Sequence, residues 1–392
     1  MKFPNAIIIT RYGSHRFDID GCHSNDHYID FKRIFNLRHP RKAILIYSQL
    51  FFNTDIIAEY IKKYNIQSLD IIIDDVFRLQ HNKNYIGMDT WPIEKDIDNT
   101  KFLEIEIIKD LLNKIKLSKV KVYHCEVIPK EYKKYFPFKM NYIDLYLSYW
   151  VITRFNRINL EHDLKFNYKV SCLNNRKDYH RHYIAAMLHD EKDVLITHNE
   201  GFDDIATDLI NCNGLSINGF NNNFKDILFK KIKLLQGKGY YYIDNDGVIK
   251  NKKHNDEIMP RDLQHSNILY KVIMNSFVNI VTETRYDTPF QYISEKTLKP
   301  IISKRPFILL SSPGTLALLK SFGLKTFDQW WDESYDQEKD HYKRFKMVYD
   351  LTQNILSKDK ETLEKYLEEM QEILDYNYNH VKNIPNIICS KY

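Results

Sequence analysis

FVNIVTETRYDTPFQYISEKTLKPIISKRPFILL, Phe277 to Leu310, decides the fold. Phe277 to Thr282 is an apolar run that predicts a buried strand, and a polar loop bearing Glu283, Arg285 and Asp287 follows it. Ser294 predicts the cap of a short helix, Ser294 to Ser303, which opens with Glu295-Lys296 and is limited or kinked at Pro300. Phe307 to Leu310 is again a strand. Strand, helix, strand in so short a space calls for a parallel sheet covered by helices.

The same alternation extends in both directions. Upstream, Lys169 to Leu173, Asp193 to Thr197 and the hairpin Tyr240 to Lys250, with Asp246-Gly247 at its turn, read as strands. Arg176 to Leu188 and Ser266 to Ser276 read as helices, and the Asn-rich stretch Asn211 to Asn223 as a loop. Downstream, Pro313 to Phe322 predicts a helix with Pro at its start and Gly323 just beyond its end. Tyr342 to Tyr378 is charged and helix-periodic, which suits two closing helices. In the first half, Ala6 to Thr10, Ala43 to Tyr47, Leu69 to Ile73 and Val120 to His124 are strand-like. Asp55 to Tyr64, Lys101 to Lys116 and Tyr142 to Arg154 are helix-like, and polar Asn156 to Lys165 suits a crossing between domains. The expected class is therefore α/β with two Rossmann-like domains, 1–160 and 166–340, and C-terminal helices over 341–392 that pack across them.

Composition bounds the function. A chain of 392 residues with 43% hydrophobic and 28% charged content can bury real cores, and no apolar run reaches the roughly 20 residues of a membrane helix. The beginning, MKFPNAIIITRYG, reads as a buried strand and not as a secretory signal, so a cytoplasmic location is expected. Five scattered Cys without a CxxC pair argue against a disulfide framework and a Cys-based zinc site. The net charge of +5 suits phosphate-bearing ligands but is too small to imply nucleic acid. Eleven Gly, where average usage gives about 27, together with abundant Ile, Lys, Asn and Tyr, reflect an AT-rich genome.

Three stretches carry candidate chemistry. In CLNNRKDYHRHYIAAML, Cys172 to Leu188, a strand ends in a turn, and Arg176, Lys177, His180 and Arg181 occupy the first turns of the next helix. Basic residues there oppose the helix dipole unless an anion such as phosphate binds. In the loop and helix from Glu283 to Lys296, Glu295 can accept both hydroxyls of a ribose while Lys296 and the Arg176 cluster neutralise a pyrophosphate. Sugar nucleotides present that pair of features. In RYGSHRFDIDGCHSNDH, Arg11 to His27, a loop directly after the first strand offers carboxylates and imidazoles that can act as a general base: Asp18 first, then His15 and Asp20. Asp18-Ile19-Asp20 and Asp244-Asn245-Asp246 are short acidic triplets common by chance, and Cys22, His23 and His27 lack a well-spaced fourth ligand. No metal site is therefore expected. Neither GxxxxGK[ST] nor GxGxxG occurs, and so ATPase and dinucleotide readings lack their fingerprint.

Ser294-Glu295-Lys296-Thr297-Leu298-Lys299-Pro300, then Arg305-Pro306-Phe307-Ile308, then Gly323-Leu324-Lys325-Thr326-Phe327 with Trp331-Asp332-Glu333-Ser334-Tyr335-Asp336, resembles phage and large-virus proteins of glycosyltransferase type. The Glu-Lys step and the Arg-bearing helix also resemble the donor-binding domain of fucosyltransferases and, more distantly, exostosin-like enzymes. The resemblance covers roughly Lys169 to Asp336 and is most specific from Tyr292 onward. It implies a GT-B architecture, two Rossmann-like domains facing a central cleft, with Glu295 on the ribose and Lys296 and Arg176 on the pyrophosphate. The expected function is metal-independent transfer of a sugar from a nucleotide-diphosphate sugar, taken as a substrate with no cofactor. A saccharide acceptor is favoured over a hydroxylated DNA base. The rival readings are a sugar-nucleotide epimerase and a non-catalytic nucleotide- or glycan-binding module.

Overall fold

The computed structural model describes residues 42–47, 54–63, 65–73, 79–81, 84–85, 101–117, 119–130, 133, 136, 138–142, 147, 151, 155, 158–174, 178–198, 220–235, 240–243, 249–252 and 267–390. The strand expected at Ala6 to Thr10, the loop Arg11 to His27, and the residues Asp74, Asp75, Arg176 and Lys177 lie outside the described residues, as do Asp244-Asn245-Asp246. Two units emerge: one holds Met1–Ile152, Thr288–Tyr292 and Asn383–Tyr392, and the other holds Thr153–Asp287 and Ile293–Lys382. The chain passes from one to the other just before the crossing read at Asn156 to Lys165.

The first unit has a mixed α/β order: β1 (Lys42–Tyr47), α1 (Thr54–Lys63), β2 (Ser68–Ile73), β3 (Leu79–His81), β4 (Asn84–Tyr85), β5 (Lys101–Phe102), α2 (Leu103–Lys114), β6 (Lys119–His124) and β7 (Met140–Tyr142). Strands β1, β2, β6 and β7 form a parallel sheet in that order, while β3 to β5 form a small antiparallel one. The Lys101 segment, expected to be helical throughout, starts as the short strand β5. Lys114 links the two helices, with its ammonium 2.8 Å from Asp55 Oδ1 and 2.7 Å from Thr54 Oγ1.

The second unit is the larger. Its elements are β8 (Tyr168–Asn174), α3 (Tyr179–Leu188), β9 (Val194–His198), α4 (Asn222–Leu235), β10 (Tyr240–Ile243), β11 (Ile249–Lys252), α5 (Asn267–Met274), β12 (Ser276–Thr282), α6 (Glu295–Ile302), β13 (Phe307–Leu310) and α7 (Thr315–Ser321). The helices α8 (His341–Ser357), α9 (Lys360–Glu369), α10 (Gln371–Val381) and α11 (Ile384–Ser390) end the chain. Helix α11 belongs to the first unit and α8 to α10 to the second. Where two helices were expected over Tyr342 to Tyr378, the chain divides into three, because Asp359 caps a fresh start by accepting from Thr362 N at 2.7 Å. Helix α4 was missed, since its Asn-rich start reads as loop.

The sheet order is β11-β10-β9-β8-β12-β13; β9, β8, β12 and β13 run parallel, and the hairpin β10/β11 adds an antiparallel edge. From β8 the chain winds outward to β9 and then returns to the other side of β8 as β12. Strand order therefore reverses between β8 and β12, and such a reversal opens a crevice at the strands' C-terminal ends. Strand β12 is buried along its whole length; its apolar residues fill the core, and its Ser276, Asn279 and Thr282 side chains are hydrogen-bonded within it.

Much of the most specific sequence builds architecture. Gly314, at φ +82°, precedes α7 and has no side chain to cap it; Asp336 does so from 20 residues away, accepting from Leu316 N at 2.9 Å and Ala317 N at 3.3 Å. Glu333 accepts from Thr326 Oγ1 at 2.6 Å and Phe327 N at 2.8 Å. Gly323 stands at φ +86° with His380 so close that a Cβ would lie 2.6 Å from its Nε2. Trp331 packs in the core on Phe327, ring centroids 5.5 Å apart.

Candidate functional site

The second unit carries a crevice at the reversal of strand order. It spans about 920 Å³, counting the open solvent at its mouth. Asn174 at the end of β8, Thr197 in β9 and Thr282 at the end of β12 stand at the strand ends. Thr282 Oγ1 donates to Asn174 Oδ1 at 2.7 Å across the gap between β8 and β12. Ile243, Leu269 and Ile273 give an apolar wall that continues into the core, and Arg181, Glu295, Lys296 and Lys299 supply the charge.

Helix α6 is aimed at this crevice by a buried carboxylate. Glu283, fully buried at the end of β12, accepts from Ser294 N at 3.0 Å, Ser294 Oγ at 2.6 Å, Thr297 Oγ1 at 2.5 Å and Thr284 N at 3.2 Å. Four donors satisfy the charge, and a carboxylate at the first turn also complements the helix dipole. Ser294 completes the cap by accepting from Lys296 N at 3.2 Å. Glu283 and Ser294 thus build the wall, and the side chains of α6 line the opening. The Lys296 ammonium donates to Thr284 Oγ1 at 3.2 Å, Ser294 Oγ at 3.3 Å and Glu295 Oε1 at 3.4 Å, one acceptor for each of its three hydrogens.

Arg181 lies on the other side. Helix α3 begins at Tyr179, so Arg181 is its third residue, and the preceding Asp178 forms an ion pair with Arg181 Nη1. The guanidinium also donates through Nη2 to the carbonyls of Thr282 and Glu283, each at 3.3 Å. The conflict between basic residues and the helix dipole is therefore relieved, for Arg181, by a carboxylate of the protein itself. His180 donates from Nε2 to Glu283 O at 2.9 Å and stacks on Tyr286 at 4.7 Å. Burial pushes its pKa down to about 3, so the ring is neutral. Arg344 covers the other end of this stack, 4.9 Å from the Tyr286 ring centroid, and donates to the carbonyls of Tyr286 and Glu338.

No protein-family model matches the chain, and neither does any curated protein. Its own geometry must therefore speak for the site. Of the residues expected to hold a donor, Arg181, Glu295 and Lys296 line the crevice, Glu283 and Ser294 brace it, and Arg176 and Lys177 lie outside the described residues. The expected acceptor-side residues Asp18, His15 and Asp20 also lie outside them. Sequence reasoning missed Lys299, which lines the crevice from α6. Its position three residues after Lys296 puts both on one helix face, and that spacing was the available signal. The Lys299 ammonium has no hydrogen bond or ion pair among the described residues, and burial lowers its pKa below the usual lysine value. Asn279 and Thr282 were read only as parts of a strand, and Asn174, read as part of the turn after Leu173, is the last residue of β8. No helix among the described residues is long and apolar enough to cross a membrane.

Proposed function

We propose that this protein is a glycosyltransferase of GT-B architecture whose second unit holds a nucleotide-diphosphate sugar in the crevice between β8 and β12. One observation carries the reading: a crevice at a reversal of strand order combines an apolar wall, the carboxylate of Glu295, and cationic residues at a helix N-terminus. Glu295 accepts the ribose hydroxyls, and Lys296, with Arg176, faces the diphosphate. As the bond from the anomeric carbon to the diphosphate breaks, fixed cations stabilise the charge that collects on the leaving oxygen. The acceptor oxygen forms the new bond to that carbon, and its proton passes to a base, with Asp18 as the first candidate and His15 and Asp20 behind it. No divalent metal is needed in this scheme, and a saccharide is the favoured acceptor over a hydroxylated DNA base.

The test is a thermal-shift and calorimetric screen of the full chain against nucleotide sugars. One or more should raise the unfolding midpoint, and Glu295→Ala should weaken that ligand about tenfold or more, as loss of a charged hydrogen bond requires. A screen in which no nucleotide sugar binds overturns the reading. Conversion of a bound sugar nucleotide without any acceptor would assign an epimerase-type reaction instead.

A further inference from the structure

Among the described residues, three cationic side chains line the crevice, and two of them are already committed. Arg181 is neutralised by Asp178 and bonded to two carbonyls, and all three hydrogens of Lys296 meet oxygen acceptors of the protein. Only the Lys299 ammonium has no hydrogen bond or ion pair among the described residues. Its charged surroundings are Glu295 and Lys296 on its own helix, Glu283 at the end of β12 and Arg181 on α3. The Glu283 carboxylate is spent on Ser294, Thr297 and Thr284.

Two further donors point the same way. Asn279 and Arg181 both line the crevice and are more than nine-tenths buried, yet Asn279 Nδ2 and Arg181 Nε have no partner among the described residues. Asn279 is held by its other end, Oδ1 accepting from Ser171 Oγ at 2.5 Å, with Ser276 Oγ donating to Ser171 Oγ at 2.8 Å behind it. Buried donors left unpaired are costly, and an ammonium without a counter-ion in a partly apolar crevice costs more. A ligand rich in acceptors and carrying negative charge satisfies all of them at once.

We infer that Lys299, and not the better-placed motif residue Lys296, is the principal anion ligand of this crevice and the residue through which a nucleoside diphosphate is held. The inference rests on the nucleotide-sugar reading above and deepens it. Lys299 can meet a phosphate oxygen without surrendering any bond it already makes, whereas Lys296 must first release Thr284, Ser294 or Glu295. Lys296 is then a positioning residue that keeps Glu295 and the helix start in place. The same arrangement makes Lys299 a liability in the empty protein.

The experiment compares the full-length parent with Lys299→Met, Lys299→Arg and Lys296→Met by calorimetry against uridine and guanosine diphosphates and inorganic pyrophosphate, alongside thermal unfolding without ligand. For the diphosphate that binds the parent best, Lys299→Met should lose tenfold or more in affinity, Lys299→Arg should stay within about threefold, and Lys296→Met should lose less than Lys299→Met. Without ligand, Lys299→Met should unfold about 2 to 4 °C higher than the parent, because a methyl group replaces an unpaired charge in a partly apolar crevice. A merely structural lysine would lower that midpoint. Unchanged affinity in Lys299→Met, or a greater loss in Lys296→Met, overturns the inference while leaving the nucleotide-sugar reading intact. Absence of binding by the parent to every probe overturns both.

Discussion

Glu283 Oε2 accepts the hydroxyl of Ser294 at 2.6 Å, and this contact joins the end of β12 to the cap of α6. A residue read from the sequence as a ligand contact is, in the folded chain, the peg on which the ligand-facing helix hangs. Glu283→Ala leaves two Ser294 donors and the Thr297 hydroxyl without their acceptor in a fully buried place. The expected loss is about 3 to 5 kcal/mol by urea unfolding, against about 1 kcal/mol for Ser294→Ala, which removes a cap but leaves the carboxylate its other donors. Equal, small losses in both would show that the carboxylate does not organise α6.

Arg305, part of the stretch that carries the family resemblance, is buried with no carboxylate in salt-bridge range among the described residues. Its charge is solvated by carbonyls: Nε donates to Met274 O at 2.9 Å and Ser276 O at 3.0 Å, Nη1 to Lys304 O at 3.1 Å, and Nη2 to Lys165 O at 3.1 Å and to Asp163 O. Burial still lowers its pKa to about 10. An ammonium has three donors and cannot reproduce this fan, so Arg305→Lys should destabilise by about 2 kcal/mol or more. A stability within error of the parent would mean that water replaces the fan at no cost.

Acid stability has a sign that can be worked out for three groups beside Tyr286, His180 buried and His341 and Asp287 partly so. His180 has its pKa pushed down to about 3 and His341 to about 4, both by burial, so on acidification below about pH 6.5 the unfolded chain takes up protons that the native chain refuses. Stability falls as a result. Asp287 works in the opposite sense: burial raises its pKa to about 6, so between pH 6 and about 4 the native chain takes up a proton first and gains relative stability. Asp287→Asn removes that offset, and the fall in stability between pH 6 and 4 should steepen by up to about 1.4 kcal/mol per pH unit. Parallel stability curves for parent and variant would exclude this balance.

On the acceptor side, Asp18→Asn should lower glycosyl transfer by on the order of a hundredfold or more with donor affinity unchanged. Near-normal turnover would move the search to His15 or Asp20. Turnover of the parent should persist in a chelator, and its loss with recovery on adding Mn²⁺ or Mg²⁺ would reinstate one of the acidic triplets.

Local pattern alone determined the α/β class and most element positions. Apolar runs bounded by polar turns located β1, β2, β6, β8, β9, β12 and β13, and the Ser294 cap and Gly323 stop located the ends of two helices, because these signals depend on neighbours within a few residues. Local signals failed where they were mixed: the Asn-rich start of α4 read as loop, and the charged C-terminal stretch hid its break at Lys358-Asp359. Sequence also drew Arg181, Glu283, Ser294, Glu295 and Lys296 toward one site. Only tertiary structure decided which of them are free to act. Asp178 neutralises Arg181, Glu283 is consumed by the cap of α6, Lys296 is tied to three oxygens, and the Lys299 ammonium is left with no partner among the described residues. A charge in the sequence is an ability to bind, whereas its availability depends on the oxygen and nitrogen atoms that the fold brings within about 3 Å of it.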